Sequence, residues 1–214
     1  MTRKIPLQSF GSLRVATPTC LPGQRIGVMG GTFNPPHDGH RIAAEAALKR
    51  LHLDQIWWLI TPGNPLKSRD GLTPLDHRMK LVSPFARGPR MKITGFEREL
   101  GTRYTAGTLA FLKRRYPAVR FVWIMGADNL ATFDRWQHWR EIAKTMPIAV
   151  VDRPGWRHAG LASPAAHALS RYRLPESEAA SLADQKPPAW VLLTIRLSGL
   201  SSTALRGAAP ALPG

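Results

Sequence analysis

The stretch from Ile26 to Ile42, I-G-V-M-G-G-T-F-N-P-P-H-D-G-H-R-I, admits few folds. Its first four residues form a short apolar run of the kind that makes a buried strand. Gly30 and Gly31 then remove side chains where the chain must turn and something must approach closely. Pro35 and Pro36 stiffen the turn, and a helical pattern follows from about His40. His37 and His40 stand three apart at the first turn of that helix. A helix N-terminus carries unpaired N–H groups and a partial positive charge, so it attracts phosphate. Imidazoles placed there add donors aimed at the same anion. The segment therefore predicts a phosphate-handling strand–loop–helix unit.

Competing explanations are weaker. A pair of histidines at i and i+3 could bind a metal, but no third Cys, His or carboxylate stands at a matching spacing nearby. The G-x-G-x-x-G and G-x-x-x-x-G-K-[ST] fingerprints are both absent, which argues against a dinucleotide-binding loop and a Walker loop. Thirty Lys and Arg against fourteen Asp and Glu give a net charge of +16, a field that favours polyanions. Those charges are scattered among apolar segments and form no basic tail. The single cysteine, Cys20, rules out an internal disulfide framework and fits a reducing compartment. No apolar run approaches the ~18 residues of a membrane helix. A cytoplasmic protein with no membrane partner is expected.

Taken in order, residues 1–24 contain three prolines and little periodicity, and are expected to be a loosely ordered extension to a single domain over 25–214. Arg41 to Leu51 is a helix, Gln55 to Ile60 a buried strand, and Thr61-Pro62-Gly63-Asn64-Pro65 breaks the chain after it. Lys67 then either reaches phosphate or lies in solvent. A helix is expected from Pro74 to Phe85, a strand from Arg90 to Phe96 and a loop from Glu97 to Tyr104. Thr105 caps the next helix. Val119 to Met125 is a fourth strand, with Asp128 just beyond it. Pro147 to Val151 is a fifth, ending at Asp152-Arg153-Pro154-Gly155. Residues 156–189 show little pattern beyond one short helix, and Trp190 to Leu197 makes a final strand. Ser201, Ser202 and Thr203 then cluster at a helix start with Arg206 one turn later, which is either simple capping or a second anion site.

Alternating strands and helices predict an α/β, Rossmann-like, doubly wound parallel sheet of five to six strands with helices on both faces. Ligands then belong at the carboxyl ends of the strands. Every polar motif singled out above falls at such an end.

The motif G-G-T-F-N-P-P-H-D-G-H (Gly30 to His40) resembles the G-G-[ST]-F-[DN]-P-x-H-x-G-H signature of the nucleotidylyltransferase superfamily. Y-T-A-x-T-L (Tyr104 to Leu109), G-A-D-N-L-x-x-F-x-x-W (Gly126 to Trp136), D-R-P-G (Asp152 to Gly155) and S-S-T-x-L-R (Ser201 to Arg206) narrow the resemblance to the bacterial nicotinate-mononucleotide adenylyltransferases. That resemblance implies adenylyl transfer from ATP to nicotinate mononucleotide, giving deamido-NAD and pyrophosphate, with Mg2+. It implies that Gly30, Gly31, Thr32, Phe33, His37 and His40 form the ATP phosphate loop. Lys67, Arg153, Ser201, Ser202, Thr203 and Arg206 join them around ATP, and His37, His40 and Arg206 act in catalysis. Thr105, Asp128 and Trp136 would hold nicotinate mononucleotide, Thr105 through its backbone and Trp136 by stacking on the pyridine ring. Leu66, where many relatives carry histidine, and a chain ending soon after Arg206 are the departures from the pattern.

Two rivals differ in testable ways. The acceptor could be nicotinamide mononucleotide or phosphopantetheine, although Trp136 and the Y-T-A segment argue against the latter. A basic nucleic-acid-binding protein would account for the charge and would bind RNA or DNA in a salt-sensitive manner. It gives no reason for phosphate motifs at strand ends, and neither a basic helix nor an aromatic RNA-binding signature is present. A homo-oligomer remains compatible with the sequence.

Overall fold

The structure, a computed structural model, describes residues 15–63, 71–102 and 104–195. Seven strands form one sheet: β1 (Arg25–Gly31), β2 (Gln55–Ile60), β3 (Met91–Thr94), β4 (Arg120–Gly126), β5 (Ile148–Val151), β6 (Arg173–Leu174) and β7 (Trp190–Leu193). They lie in the order β3-β2-β1-β4-β5-β7-β6, and every neighbouring pair is parallel. The chain winds outward from β1 through β2 to β3, then returns to β1's other side with β4. The carboxyl ends of β1 and β4 therefore flank the point where the winding reverses, the place where such sheets bind ligands.

Parallel strands are covered on both faces, so each reads as a near-continuous apolar run. Along β2, Trp57 and Leu59 enter one apolar layer, while Ile56, Trp58 and Ile60 enter the other. The first layer packs beneath α4 (Thr105–Arg115) and α6 (Trp139–Thr145), and the second beneath α1 (Asp38–Arg50) and α2 (Leu75–Val82). Short helices α3 (Glu97–Leu100), α5 (Ala127–Leu130), α7 (Arg157–Leu161) and α8 (Pro164–Ala168) complete the connections.

The expectation of five to six strands is corrected to seven. The additional strand, β6, is two residues long and pairs only with β7, so no period could reveal it. The loop expected over Glu97 to Tyr104 begins instead with the helical turn α3. α1 starts at Asp38, with His37 as its N-cap, and Tyr104 takes the cap position of α4 in place of Thr105. Of the N-terminal segment, Val15 is buried in the core, the Thr17 hydroxyl bonds the Tyr116 hydroxyl, and the Gly23 N–H donates to the Ala118 carbonyl at 2.8 Å.

Gly30, in β1, is fixed by a neighbour. A Cβ there would approach the buried Trp123 ring of β4 to less than 3.0 Å. Gly30→Ala should therefore cost about 1–3 kcal/mol through overpacking, lowering the urea midpoint at unchanged slope; an unchanged midpoint would show that the ring has room to move.

Glu97 is buried in the α3–α4 junction, where its Oε1 accepts the Thr108 hydroxyl at 2.5 Å. Burial pushes its carboxyl from 4.5 up to about 7, against the smaller opposing effect of that hydrogen bond. A raised folded value means that the folded state holds the proton more tightly. Its contribution to stability is full below pH 4.5 and lost as pH climbs toward 7, on the order of 3 kcal/mol in all. Glu97→Gln keeps an acceptor for Thr108 without the charge. Relative to wild type, it should gain about 2–3 kcal/mol between pH 5 and pH 8 in urea unfolding, whereas a pH-independent difference would mean that the carboxylate is ionised in the fold.

Candidate active site

The β1–α1 connection is built from close ring contacts. Phe33 adopts φ 47°, an unfavourable conformation for an aromatic residue, and its buried ring lies 4.9 Å from the His40 ring and 5.3 Å from Trp58 between centroids. Those contacts hold backbone strain of about 1–3 kcal/mol at the phosphate motif. The His37 and His40 rings stack 3.8 Å apart at a tilt of 35°. The His37 backbone N–H donates to His40 Nδ1 at 3.2 Å. Nδ1 is thereby an acceptor, so a neutral His40 carries its proton on Nε2.

His37 is 4% exposed, yet neither of its ring nitrogens has a hydrogen-bond partner. Burial chiefly, and the nearby Arg153 guanidinium secondarily, lower its pKa to about 4, against smaller raising effects of Asp38 and Asp128. Burial, then His37 and Arg153, hold His40 well below 6.5. Both imidazoles are therefore neutral at pH 7 in the free protein. A phosphate anion brought against them would raise their proton affinity.

Asp128 stands in the first turn after β4. Its Oδ2 accepts Arg153 Nη1 at 2.5 Å, while its buried Oδ1 has no partner. Gly126 permits this approach, because a Cβ there would lie under 3.0 Å from Oδ1. Arg153 follows β5. Its backbone N–H donates to Asp152 Oδ1 at 2.8 Å, and Asp152 Oδ2 accepts Arg157 Nε at 2.9 Å and Nη2 at 2.5 Å. The buried Asp152 carboxylate thus orders the turn that delivers Arg153.

The structure brings Gly30, Gly31, Thr32, Phe33, His37, His40, Asp128 and Arg153 to the carboxyl ends of β1, β4 and β5. Trp136 ends the 3-10 turn Phe133–Arg135, half-buried and edge-on to Phe133 at 5.5 Å. Thr105 opens α4, which packs against α6, the helix that follows the Trp136 turn. As the first residue of a helix, Thr105 has a backbone N–H without an intrahelical acceptor. Lys67, Ser201, Ser202, Thr203 and Arg206 lie outside the described residues, as does Leu66.

Three residues were missed from sequence. Asp152 is signalled by its place before Arg153 in D-R-P-G, an arrangement in which a short carboxylate bonds the backbone ahead of it. Arg78 betrays itself by sitting in the Leu75–Met79–Val82 stripe of α2. Glu97 gives no such sign. Among the described residues no group of three or more His, Cys, Asp or Glu could hold a metal ion, and no helix is long and apolar enough to cross a membrane.

The cytidylyltransferase-like family model matches residues 28–208. A Rhizobium meliloti protein named "Probable nicotinate-nucleotide adenylyltransferase" is 56% identical over 183 residues, spanning 86% of this chain and 97% of that protein. An Agrobacterium fabrum protein of the same name is 55% identical over 181 residues, spanning 85% and 97%. Among solved structures, Plasmodium falciparum nicotinic acid mononucleotide adenylyltransferase complexed with NaAD superimposes with a TM-score of 0.63. It covers 86% of this chain and 83% of its own at 20% identity, which supports the fold. On the strength of the family model and of relatives more than half identical over nearly their whole length, the chain belongs to the nicotinate-nucleotide adenylyltransferases of the cytidylyltransferase-like family.

Proposed function

We propose that this protein transfers the adenylyl group of ATP to nicotinate mononucleotide, releasing pyrophosphate and forming deamido-NAD in NAD biosynthesis. The observation that carries this function is the 56% identity to a protein named for that activity over 97% of its length. The unpartnered His37 nitrogens and Asp128 Oδ1 at the carboxyl ends of β1 and β4 support the location of the site.

In this reaction an oxygen of the acceptor's phosphate attacks the α-phosphorus of ATP, and the bond from that phosphorus to the pyrophosphate oxygen breaks. The attacking oxygen is already ionised, so no general base is needed. Rate enhancement comes from alignment and from stabilising charge on the departing pyrophosphate. Gly30, Gly31, Thr32 and Phe33 let the triphosphate approach the loop, and His37 and His40 give it N–H donors. Arg153, itself paired with Asp128, lies beside them; by the motif resemblance Ser202, Thr203 and Arg206 are assigned the opposite wall, and Lys67 and Ser201 further contacts to ATP. Asp128 orients the bound mononucleotide, Trp136 stacks on its pyridine ring, and the Thr105 N–H binds its carboxylate.

Mg2+ enters with ATP. The described residues provide no cage of their own for it, which suits an ion held mainly by substrate phosphates and water. Held by the substrate phosphates, it would neutralise part of their charge. The protein works in the cytoplasm as a single domain against which residues 15–24 of the N-terminal extension pack, and binds neither membrane nor nucleic acid. A homo-oligomer fits this function as well as a monomer.

The test is pyrophosphate release from ATP and Mg2+ with nicotinate mononucleotide, nicotinamide mononucleotide or phosphopantetheine as separate acceptors. Strong preference for the nicotinate form is expected. Activity with another acceptor alone would overturn the pyridine assignments of Thr105 and Trp136, and no activity with any would overturn the function. His40→Ala, in a variant folded by circular dichroism, should lose at least ~100-fold in kcat, the scale for one charge-stabilising donor. A near-normal rate would remove His40 from the catalytic group.

A further inference from the structure

Arg78 of α2 is 1% exposed, and among the described residues no carboxylate pairs with it. Three of its five guanidinium N–H donors bond backbone carbonyls: Nε donates to Thr73 O at 2.8 Å, and Nη1 donates to Thr32 O at 2.7 Å and Thr61 O at 2.8 Å. Thr32 immediately follows β1 and Thr61 immediately follows β2. The Thr61 N–H in turn donates to the Gly31 carbonyl at 2.9 Å. One side chain therefore bolts together the ends of two adjacent strands and the start of the phosphate motif. Thr73 strengthens the same junction, its hydroxyl donating to Asn34 Oδ1 at 2.9 Å.

Two consequences follow from elementary physics. In a trans peptide the C=O and the next N–H point opposite ways. The Thr32 carbonyl is turned onto Arg78, so the Phe33 N–H faces away from it. Carbonyl dipoles, moreover, solvate a cation without neutralising it. Buried charges are ordinarily paired, and arginine cannot shed its proton in proteins. A net positive charge thus sits beneath the loop, in a setting where its field is weakly screened.

We propose that Arg78 is a positioning residue for the triphosphate: it fixes the Thr32–Phe33 peptide and supplies a buried positive charge whose counterion is the bound ATP. This rests on the assignment of the Gly30–His40 loop to ATP phosphate. The test measures KM for ATP and for nicotinate mononucleotide separately in wild type, Arg78→Lys and Arg78→Met. Thermal shifts with pyrophosphate alone accompany the kinetics. Arg78→Met should raise KM for ATP by about 30-fold or more, the effect of losing a charge-assisted contact, with less than ~3-fold change for nicotinate mononucleotide. The pyrophosphate-induced shift should disappear. Arg78→Lys, which keeps the charge but not the planar fork, should lose about 3- to 10-fold for ATP and retain part of the shift.

Parallel rises in both KM values, or no rise in either, would overturn the proposal. Should Arg78→Met fail to fold, the same criteria applied to Arg78→Lys decide. Failure of both to fold assigns the residue to folding alone and also overturns it. Wild-type protein that neither turns over ATP nor shifts with pyrophosphate would instead overturn the assignment of the loop.

Discussion

Buried polar groups need partners, and the places where this fold leaves them without partners are not scattered. Four buried side-chain atoms are unpaired among the described residues: both His37 ring nitrogens, Trp123 Nε1 and Asp128 Oδ1. Trp123 lies on β4 opposite Val28 of β1, His37 follows the end of β1, and Asp128 follows the end of β4. Each unmet group costs about 1–3 kcal/mol. A domain only marginally stable overall does not accumulate several such costs along one seam by packing error. The seam is where the two halves of the sheet are wound in opposite directions. A polar ligand bound at the strand ends would give His37 and Asp128 the partners that folding leaves unmet.

The charge of that seam has a narrower origin than the chain's net +16. Asp128 is matched by Arg153, and Asp152 by Arg157. His37 and His40 are neutral at pH 7, pushed down first by burial, then by Arg153 at His37 and by His37 and Arg153 at His40. Of the groups described around the loop, Arg78 alone remains uncancelled. Exposed lysines and arginines elsewhere contribute a field that salt screens within ~10 Å. A buried guanidinium is screened far less. Among the described residues, Arg78 is therefore expected to contribute more to polyanion affinity at this site than the exposed basic surface does.

This division also explains what was legible in the sequence. β2 is legible with its true limits because Q-I-W-W-L-I is covered on both faces and bounded by breaking residues. The Gly30–His40 loop was legible because its glycines, prolines and histidines act locally. β6 was not, since two residues carry no period and their pairing with β7 is set by the packing of residues 173–193. α3 is not legible as a helix because E-R-E-L is polar by composition, while the buried Glu97 finds its hydrogen-bond partner in Thr108, eleven residues along. Arg78 joins carbonyls 17 and 46 residues away. Local chemistry was readable; partners chosen through tertiary packing were not.

The site's rigidity follows from the same packing. Phe33 keeps its positive φ because its ring is wedged against His40 and Trp58, and His40 is fixed in turn by the His37 N–H and the stacked imidazole. Arg78 holds the preceding peptide from below. The donors offered to a phosphate are therefore set before it arrives. Preorganised dipoles stabilise developing charge without reorganising during the reaction, which is the main contribution a protein can make when the nucleophile is already ionised. The strain at Phe33 and the unpaired His37 nitrogens are the counterpart of that arrangement. Both are geometries that an unliganded loop free to relax would abandon, and both are retained because rings and a buried guanidinium leave the loop nowhere to go.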